Sequence, residues 1–98
     1  MASSTGLDIE LELRQQLSGI PAVESVRFAH NNGSVYVWVG MRGEDSPARH
    51  AVYAVEDKLS ERYRDLLFDF HLVPLPEGRR LADFASSATQ IFDRAAPA

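Results

Sequence analysis

The chain of 98 residues carries 10 basic and 14 acidic side chains, giving a formal net charge of −4, and it has no cysteine. This length predicts one domain with a modest core, and the missing cysteine excludes disulfides and thiolate metal sites, as in most cytoplasmic proteins. The acidic balance argues against nucleic acid or an anionic membrane as the partner. Met1 to Gly6 has neither the basic nor the apolar region of a signal peptide, and no apolar run approaches the roughly 20 residues that cross a bilayer. We therefore expect a soluble protein of the cytoplasm, or the soluble part of something larger.

The N-terminal part predicts a disordered tail over residues 1–6, followed by a helix from Leu7 to Leu17. Apolar and acidic residues alternate here, which is a strand pattern, but Leu, Glu, Arg and Gln are good helix formers. Ser18-Gly19 followed by Pro21 is typical of a helix C-terminus. We predict a helix whose buried stripe consists of Ile9, Leu13, Leu17 and Ile20.

A hairpin, a helix and a strand are predicted next. Val23 to His30 is apolar at alternate positions, Asn31-Asn32-Gly33 supplies a turn, and Ser34 to Arg42 forms the second strand. Ser46 is predicted to cap a helix with Pro47 at its first position. The apolar stripe of that helix is Ala48, Ala51, Val52, Val55, Leu59 and Tyr63.

The last elements are a third strand and a third helix. Leu66 to Val73 reads as a strand that stops at Pro74. From Leu81 to Ala95, apolar residues recur at helical spacing, which predicts the helix, and 95–98 is a second tail. The single domain is expected to span residues 7–94.

These elements predict the α+β fold class, as a small ferredoxin-like αββαβ(α) sandwich with a three-stranded mixed sheet and helices on one face. The alternation in each strand assigns the side chains to two faces. The inner face, under the helices, holds Val26, Phe28, Val35, Val37, Val39, Phe68, Phe70 and Leu72. The outer face holds Arg27, Tyr36, Trp38, Leu67, Asp69, His71 and Val73.

An outer face with Trp and Tyr has several explanations. The third helix or the tail covers it, or the aromatic side chains lie half-exposed, or the face is the interface of a homodimer or of a protein partner. The Leu7-Leu11 side of the first helix is a second possible dimer surface. Base stacking on RNA ranks lower, because only one basic residue flanks the aromatics and the chain is acidic. The predicted interface residues are Arg27, Tyr36, Trp38 and Leu67.

The three histidines are the remaining candidates for chemistry. His30 is best explained as a residue next to the turn, and His50 lies in the first turn of the second helix. Asp69 and His71 are two residues apart and project on the same side, which suits an ordinary surface ion pair. No nucleophile is placed beside them, so we predict no catalytic residue and no cofactor.

Three short motifs resemble the cytoplasmic C-terminal domain of cation diffusion facilitator transporters. The segments are Ile20 to Val26, Ala48 to Ala51 around His50, and Phe70 to Pro74 around His71. The resemblance covers about residues 7 to 74 and implies a ferredoxin-like domain that dimerises. It also implies that His50 and His71 bind zinc or another divalent ion, with Val73 at the position of the family's acid.

The sequence thus predicts a small non-enzymatic binding module that works as a homodimer or with a protein partner. The alternative is a divalent-metal-sensing regulatory domain that uses His50 and His71. An enzyme ranks third.

Overall fold

The computed structural model describes residues 4–43 and 45–94, with side chains from Asp8 onward. The predicted 95–98 tail, and residues 1–3 of the predicted N-terminal tail, lie outside this range. The elements are α1 (Ser4–Ser18), β1 (Val23–Asn31), β2 (Ser34–Met41), α2 (Ser46–Arg62), β3 (Leu67–Pro74), a 3-10 helix (Leu81–Asp83) and β4 (Thr89–Asp93). The predicted α+β class is confirmed, and the arrangement is consistent with a ferredoxin-like fold.

The four strands form one mixed sheet in the order β3-β2-β1-β4. β1 pairs antiparallel with β2 and with β4, whereas β2 and β3 are parallel. The hairpin between β1 and β2 turns at Asn32, whose φ of 58° is left-handed, a conformation that asparagine tolerates. The parallel pair needs a long crossover connection, and α2 provides it.

Both helices pack on the inner face of the sheet, as predicted. α1 buries Ile9, Leu13 and Leu17, and these contact the same core as the buried positions of α2. The predicted inner-face residues of β1 and β2 are buried, whereas Phe68 and Leu72 on β3 are only partly buried. β3 is the last strand on its side, so no further strand covers those two side chains.

Two local predictions were wrong at the helix N-termini. α1 begins at Ser4, inside the predicted tail. The cap of α2 is Asp45, not Ser46, because the Asp45 carboxylate accepts a hydrogen bond of 3.0 Å from the Ala48 amide. A carboxylate at this position also interacts favourably with the helix dipole, so Ser46 becomes the first helical residue.

The predicted third helix, Leu81 to Ala95, was wrong, and so was the predicted three-stranded sheet. The chain instead forms the 3-10 helix and then β4, which pairs with β1 and makes the sheet four-stranded. Ser86, Ser87 and Thr89 are poor helix formers, and the free edge of β1 offers the backbone of β4 hydrogen-bond partners that a separate helix would leave unsatisfied.

The segment between β3 and β4 crosses the outer face. Leu75, Leu81 and Ala85 are buried there, apart from the core under the helices. Gly40 allows the close approach, since a Cβ at this position would stand 2.7 Å from both Leu75 Cδ1 and Ser25 Oγ. The lower half of the outer face, near the end of β2, is therefore covered by the chain itself. We call residues 75–94 the C-terminal arm.

Arginines fasten the C-terminal arm to the sheet. Arg42 donates to the carbonyls of Leu75 at 3.3 Å and Pro76 at 2.9 Å. Arg94, at the end of the arm, donates to the carbonyl of Val23 at 2.7 Å, and Arg80 pairs within the arm with a β4 carboxylate. Hydrogen bonds from a charged donor are stronger than neutral ones, so these contacts hold a segment that has little regular structure.

Candidate functional site

The upper half of the outer face, toward the β1–β2 turn, is only partly covered, and its two aromatic side chains are half-buried. Tyr36 and Trp38 project from β2 on this side, and the parallel register sets Asp69 beside Tyr36 and His71 beside Trp38. Leu67, at the start of β3, is 75% exposed. We call these five residues the aromatic patch. They match the predicted outer face, because the side chains of a strand alternate with a period of two.

The rings of the aromatic patch are in contact. The Trp38 and His71 ring centroids lie 5.9 Å apart with an interplanar angle of 21°, a stacked arrangement. Tyr36 and Trp38 lie 6.3 Å apart and are tilted by 32°. Each ring restricts the rotation of its neighbour, so the aromatic patch presents a flat surface on rigid strands.

Asp69 orients the imidazole of His71. Asp69 Oδ2 lies 3.3 Å from His71 Nε2, and the two side chains are 58% and 48% exposed. At this exposure an ion pair with protonated His71 contributes little to stability, since solvent screens it. The aromatic patch therefore carries one acidic and one titratable basic group at its edge, both available to a ligand.

Arg27, one of the predicted interface residues, binds the C-terminal arm. Its guanidinium donates to the carbonyl of Ala88 at 2.7 Å, to that of Ser86 at 3.5 Å and to Gln90 Oε1 at 3.3 Å. Arg27 Nε is buried and makes no hydrogen bond with any described residue. Arg27 stands opposite Trp38 in the β1–β2 pair, so its side chain borders the aromatic patch on the β1 side, with its donors directed into the arm.

The structure does not bring the predicted metal ligands together. His50 is exposed on α2, on the helix side of the sheet, and His71 projects from the outer face. His30 is exposed at the end of β1, apart from both. Among residues 4–43 and 45–94, no group of three or more His, Asp or Glu side chains has a geometry that would hold a metal ion.

Glu56 is a residue of the site that the sequence did not reveal. It lies outside the predicted apolar stripe of α2, and Glu56 Oε2 accepts a hydrogen bond of 3.1 Å from the backbone amide of Phe70. Burial raises the pKa of the Glu56 carboxyl, and the Phe70 hydrogen bond lowers it by less. Glu56 thus covers one donor on the free edge of β3, where an unpaired strand would otherwise be open.

Scans of the chain against protein-family models, curated proteins and solved structures find no match. The resemblance to the transporter domain therefore stays a prediction. The described residues form no ligand-sized pocket. No helix in the described part of the chain has the length and the apolar composition needed to cross a bilayer.

Proposed function

We propose that this protein is a small non-enzymatic binding module that acts as a homodimer or with a protein partner, using the aromatic patch as its contact surface. One observation carries the proposal. The chain covers the lower half of its outer sheet face with its own C-terminal arm, yet in the upper half Leu67 is exposed and Tyr36 and Trp38 are only partly covered.

The chemistry of the aromatic patch suits a protein surface as the ligand. Trp and Tyr are enriched at the centres of protein interfaces, because each buries a large apolar area and has few rotatable bonds to immobilise. Here the rings of Trp38 and His71 are already stacked, so little side-chain entropy remains to be lost on binding. Asp69 and His71 add polar groups that set the orientation of a partner.

Association is tested by sedimentation equilibrium together with the fluorescence of Trp38. Trp38 is the only tryptophan in the chain, so its emission reports on the aromatic patch alone. We expect a species of twice the chain mass to form as the concentration rises, and iodide to quench Trp38 less at high concentration than at low. Trp38→Phe, followed by sedimentation only, should weaken the association.

The matched control is Tyr53→Phe, a similar loss at an exposed aromatic residue on α2. If the wild type stays monomeric, the immobilised protein should retain a partner from its native extract that Trp38→Ala does not retain. A monomer with freely quenched Trp38, and extracts that give the same result for both proteins, would refute the proposal.

A further inference from the structure

The free edge of β3 is the longer of the two edges of the sheet. Leu67 donates its amide to Gly33 at 2.8 Å, and Leu75 donates to Met41 at 2.9 Å, so the odd-numbered residues turn their backbone groups toward β2. Alternation directs the N–H and C=O groups of Phe68, Phe70 and Leu72 away from the sheet. Among the residues that the structure describes, the Phe70 amide has only the Glu56 side chain as its partner. The opposite edge, β4, has five residues and an interrupted register with β1.

The sequence of β3 is complementary to itself about Phe70. In an antiparallel pair of two β3 strands centred there, Phe68 stands opposite Leu72 of the second copy, and both are partly buried apolar residues at the edge. Asp69 stands opposite His71 of the second copy, which pairs an acid with a titratable base. Leu67, highly exposed in a single chain, stands opposite Val73.

No neighbouring centre gives this match. A two-fold axis through Phe68 sets Leu67 opposite Asp69, and an axis through Leu72 sets His71 opposite Val73. Only the Phe70 axis aligns apolar with apolar and acid with base over seven successive positions. It also makes Phe68, Phe70 and Leu72 the hydrogen-bonded positions, as their outward backbone groups require.

We propose that two copies of this chain pair antiparallel along β3, about a two-fold axis through Phe70, and so form one continuous eight-stranded sheet. This inference rests on the proposed function and names its partner as a second copy. The backbone ladder supplies roughly six hydrogen bonds, two for each of the three hydrogen-bonded pairs. A two-fold contact uses the same surface on both copies, so the assembly closes as a dimer.

The pairing joins the two aromatic patches into one surface. On the outer face, the side chains of Trp38 and His71 in one copy line up with those of Asp69 and Tyr36 in the second copy. The two-fold axis generates a second, equivalent line of side chains. Leu67, Asp69 and His71, three residues of the aromatic patch, then lie in the contact between the copies, and Tyr36 and Trp38 flank that contact on the outer face. The patch contributes to the dimer through the Asp69–His71 contacts between copies.

Glu56 competes with the second copy for the central amide. Its carboxylate must leave Phe70 N–H before the strands pair, so Glu56→Ala should strengthen the dimer. Glu56→Gln is the matched control, because the amide oxygen still accepts from Phe70. We expect a dimer dissociation constant lower by roughly 5- to 150-fold in the Ala variant, the range that two net hydrogen bonds, one in each copy, support, and little change with Gln.

Single-cysteine variants test the register directly, since the chain has no cysteine of its own. Leu67→Cys and Val73→Cys are prepared separately, distinguished by a mass tag, mixed and oxidised. The proposed pair is not hydrogen-bonded, and its Cα atoms should lie about 4.5 Å apart, within the range of a disulfide. Each variant alone should not cross-link, because identical positions six residues from their partners are roughly 20 Å apart.

Asp69→Cys mixed with His71→Cys is the second pair, for the case that Val73→Cys fails to fold. Leu11→Cys, at an exposed position on α1, is mixed with Val73→Cys to measure the rate of cross-linking by random collision. Fast cross-linking of 67 with 73, or of 69 with 71, together with slow control cross-linking, supports the edge pair. The edge pair is refuted if a dimer sediments without these cross-links, or if Leu11→Cys forms a disulfide with itself. Neither result contradicts the proposed binding function. A monomer without cross-links refutes the edge pair as well, and the function then depends on the extract experiment.

Discussion

Phe70 contacts three parts of the fold, namely the core, the free edge of the sheet and α2. Its ring is 7% exposed and packs into the core under the helices, while its amide donates to Glu56. We expect Phe70→Ala to lower the free energy of unfolding by about 3–5 kcal/mol, the usual loss for a buried phenylalanine. Urea denaturation measures it, with Phe84→Ala as the control, because Phe84 is 48% exposed. A loss for Phe70→Ala below about 1 kcal/mol, or one no larger than that of the control, would mean that this face of β3 is not in the core.

Glu56 should make folding pH-dependent in a defined direction. Burial raises the pKa of its carboxyl above the ordinary value of 4.5, so the folded chain holds this proton more tightly than the unfolded chain. Its contribution to stability is therefore fully present below about pH 4.5 and is lost as the pH rises through the folded-state pKa. Glu56→Gln does not titrate and keeps an acceptor for the Phe70 amide. We expect the variant to gain stability relative to the wild type as the pH increases.

Urea midpoints of both proteins between about pH 4 and 7 measure the effect. Asp83 does not interfere in this range. Hydrogen bonds from the Arg80 amide and from Arg79 lower the pKa of the Asp83 carboxyl, so its stabilising contribution is lost only as the pH falls below its ordinary value of 3.8. Parallel curves for the wild type and Glu56→Gln would show that the Glu56 carboxylate is not desolvated.

At the scale of elements, the C-terminal arm depends on arginine side chains more than on its own secondary structure. Arg27 binds the carbonyls of Ala88 and Ser86 just before β4 begins. Arg27→Ala should therefore destabilise the fold by about 1.5–3 kcal/mol, the range for hydrogen bonds to a charged group, and should loosen the arm first. Amide hydrogen exchange should rise in residues 88–93 before it rises in α2. Arg49→Ala, an exposed arginine on α2, is the control, and equal exchange in all elements would contradict this order.

Five of the elements were predictable because the spacing of apolar residues in each one indicates which side chains are buried. α1, α2 and the first three strands bury residues at the period that the sequence showed, so the division into inner and outer faces was correct. The arm was not predictable in this way. Its apolar residues from Leu81 to Phe92 fit a helix, yet Phe84 is largely exposed, and the five residues of β4 are too few to show alternation. Pairing with the free edge of β1, which is distant in the sequence, decides between a helix and a strand for this segment.

The candidate site was predictable to the same extent. That Tyr36, Trp38, Leu67, Asp69 and His71 share the outer face follows from alternation, whereas the register that sets His71 beside Trp38 does not. The contact between Glu56 and Phe70 was not predictable, because it depends on how α2 is rotated over the edge of β3. The role of Arg27 in the arm likewise required β4 to be known. Strand periodicity fixes faces, whereas contacts between elements follow only from their packing.

At the scale of the whole molecule, the sheet separates the two histidines that the transporter resemblance implies as ligands. His50 lies on the helix side and His71 on the outer face, where Asp69 is its neighbour. A closed zinc site uses four protein ligands, and the chain has no cysteine to supply one. Divalent-metal sensing, the alternative function, would therefore need ligands from a second chain.

We expect weak zinc binding or none, with a dissociation constant no tighter than roughly micromolar, because the described residues of one chain offer His71 and Asp69 as two adjacent ligands and no third. Calorimetric titration of the wild type, His71→Ala and His50→Ala with zinc measures this affinity. His30→Ala is the control, because His30 is exposed and lies apart from both His50 and His71. If the edge-paired dimer forms, Asp69 of the second copy comes next to His71 and adds one more oxygen ligand, so any zinc affinity should rise with protein concentration. Tight binding that disappears in both His71→Ala and His50→Ala, and persists in His30→Ala, would overturn this expectation and make metal sensing the leading function.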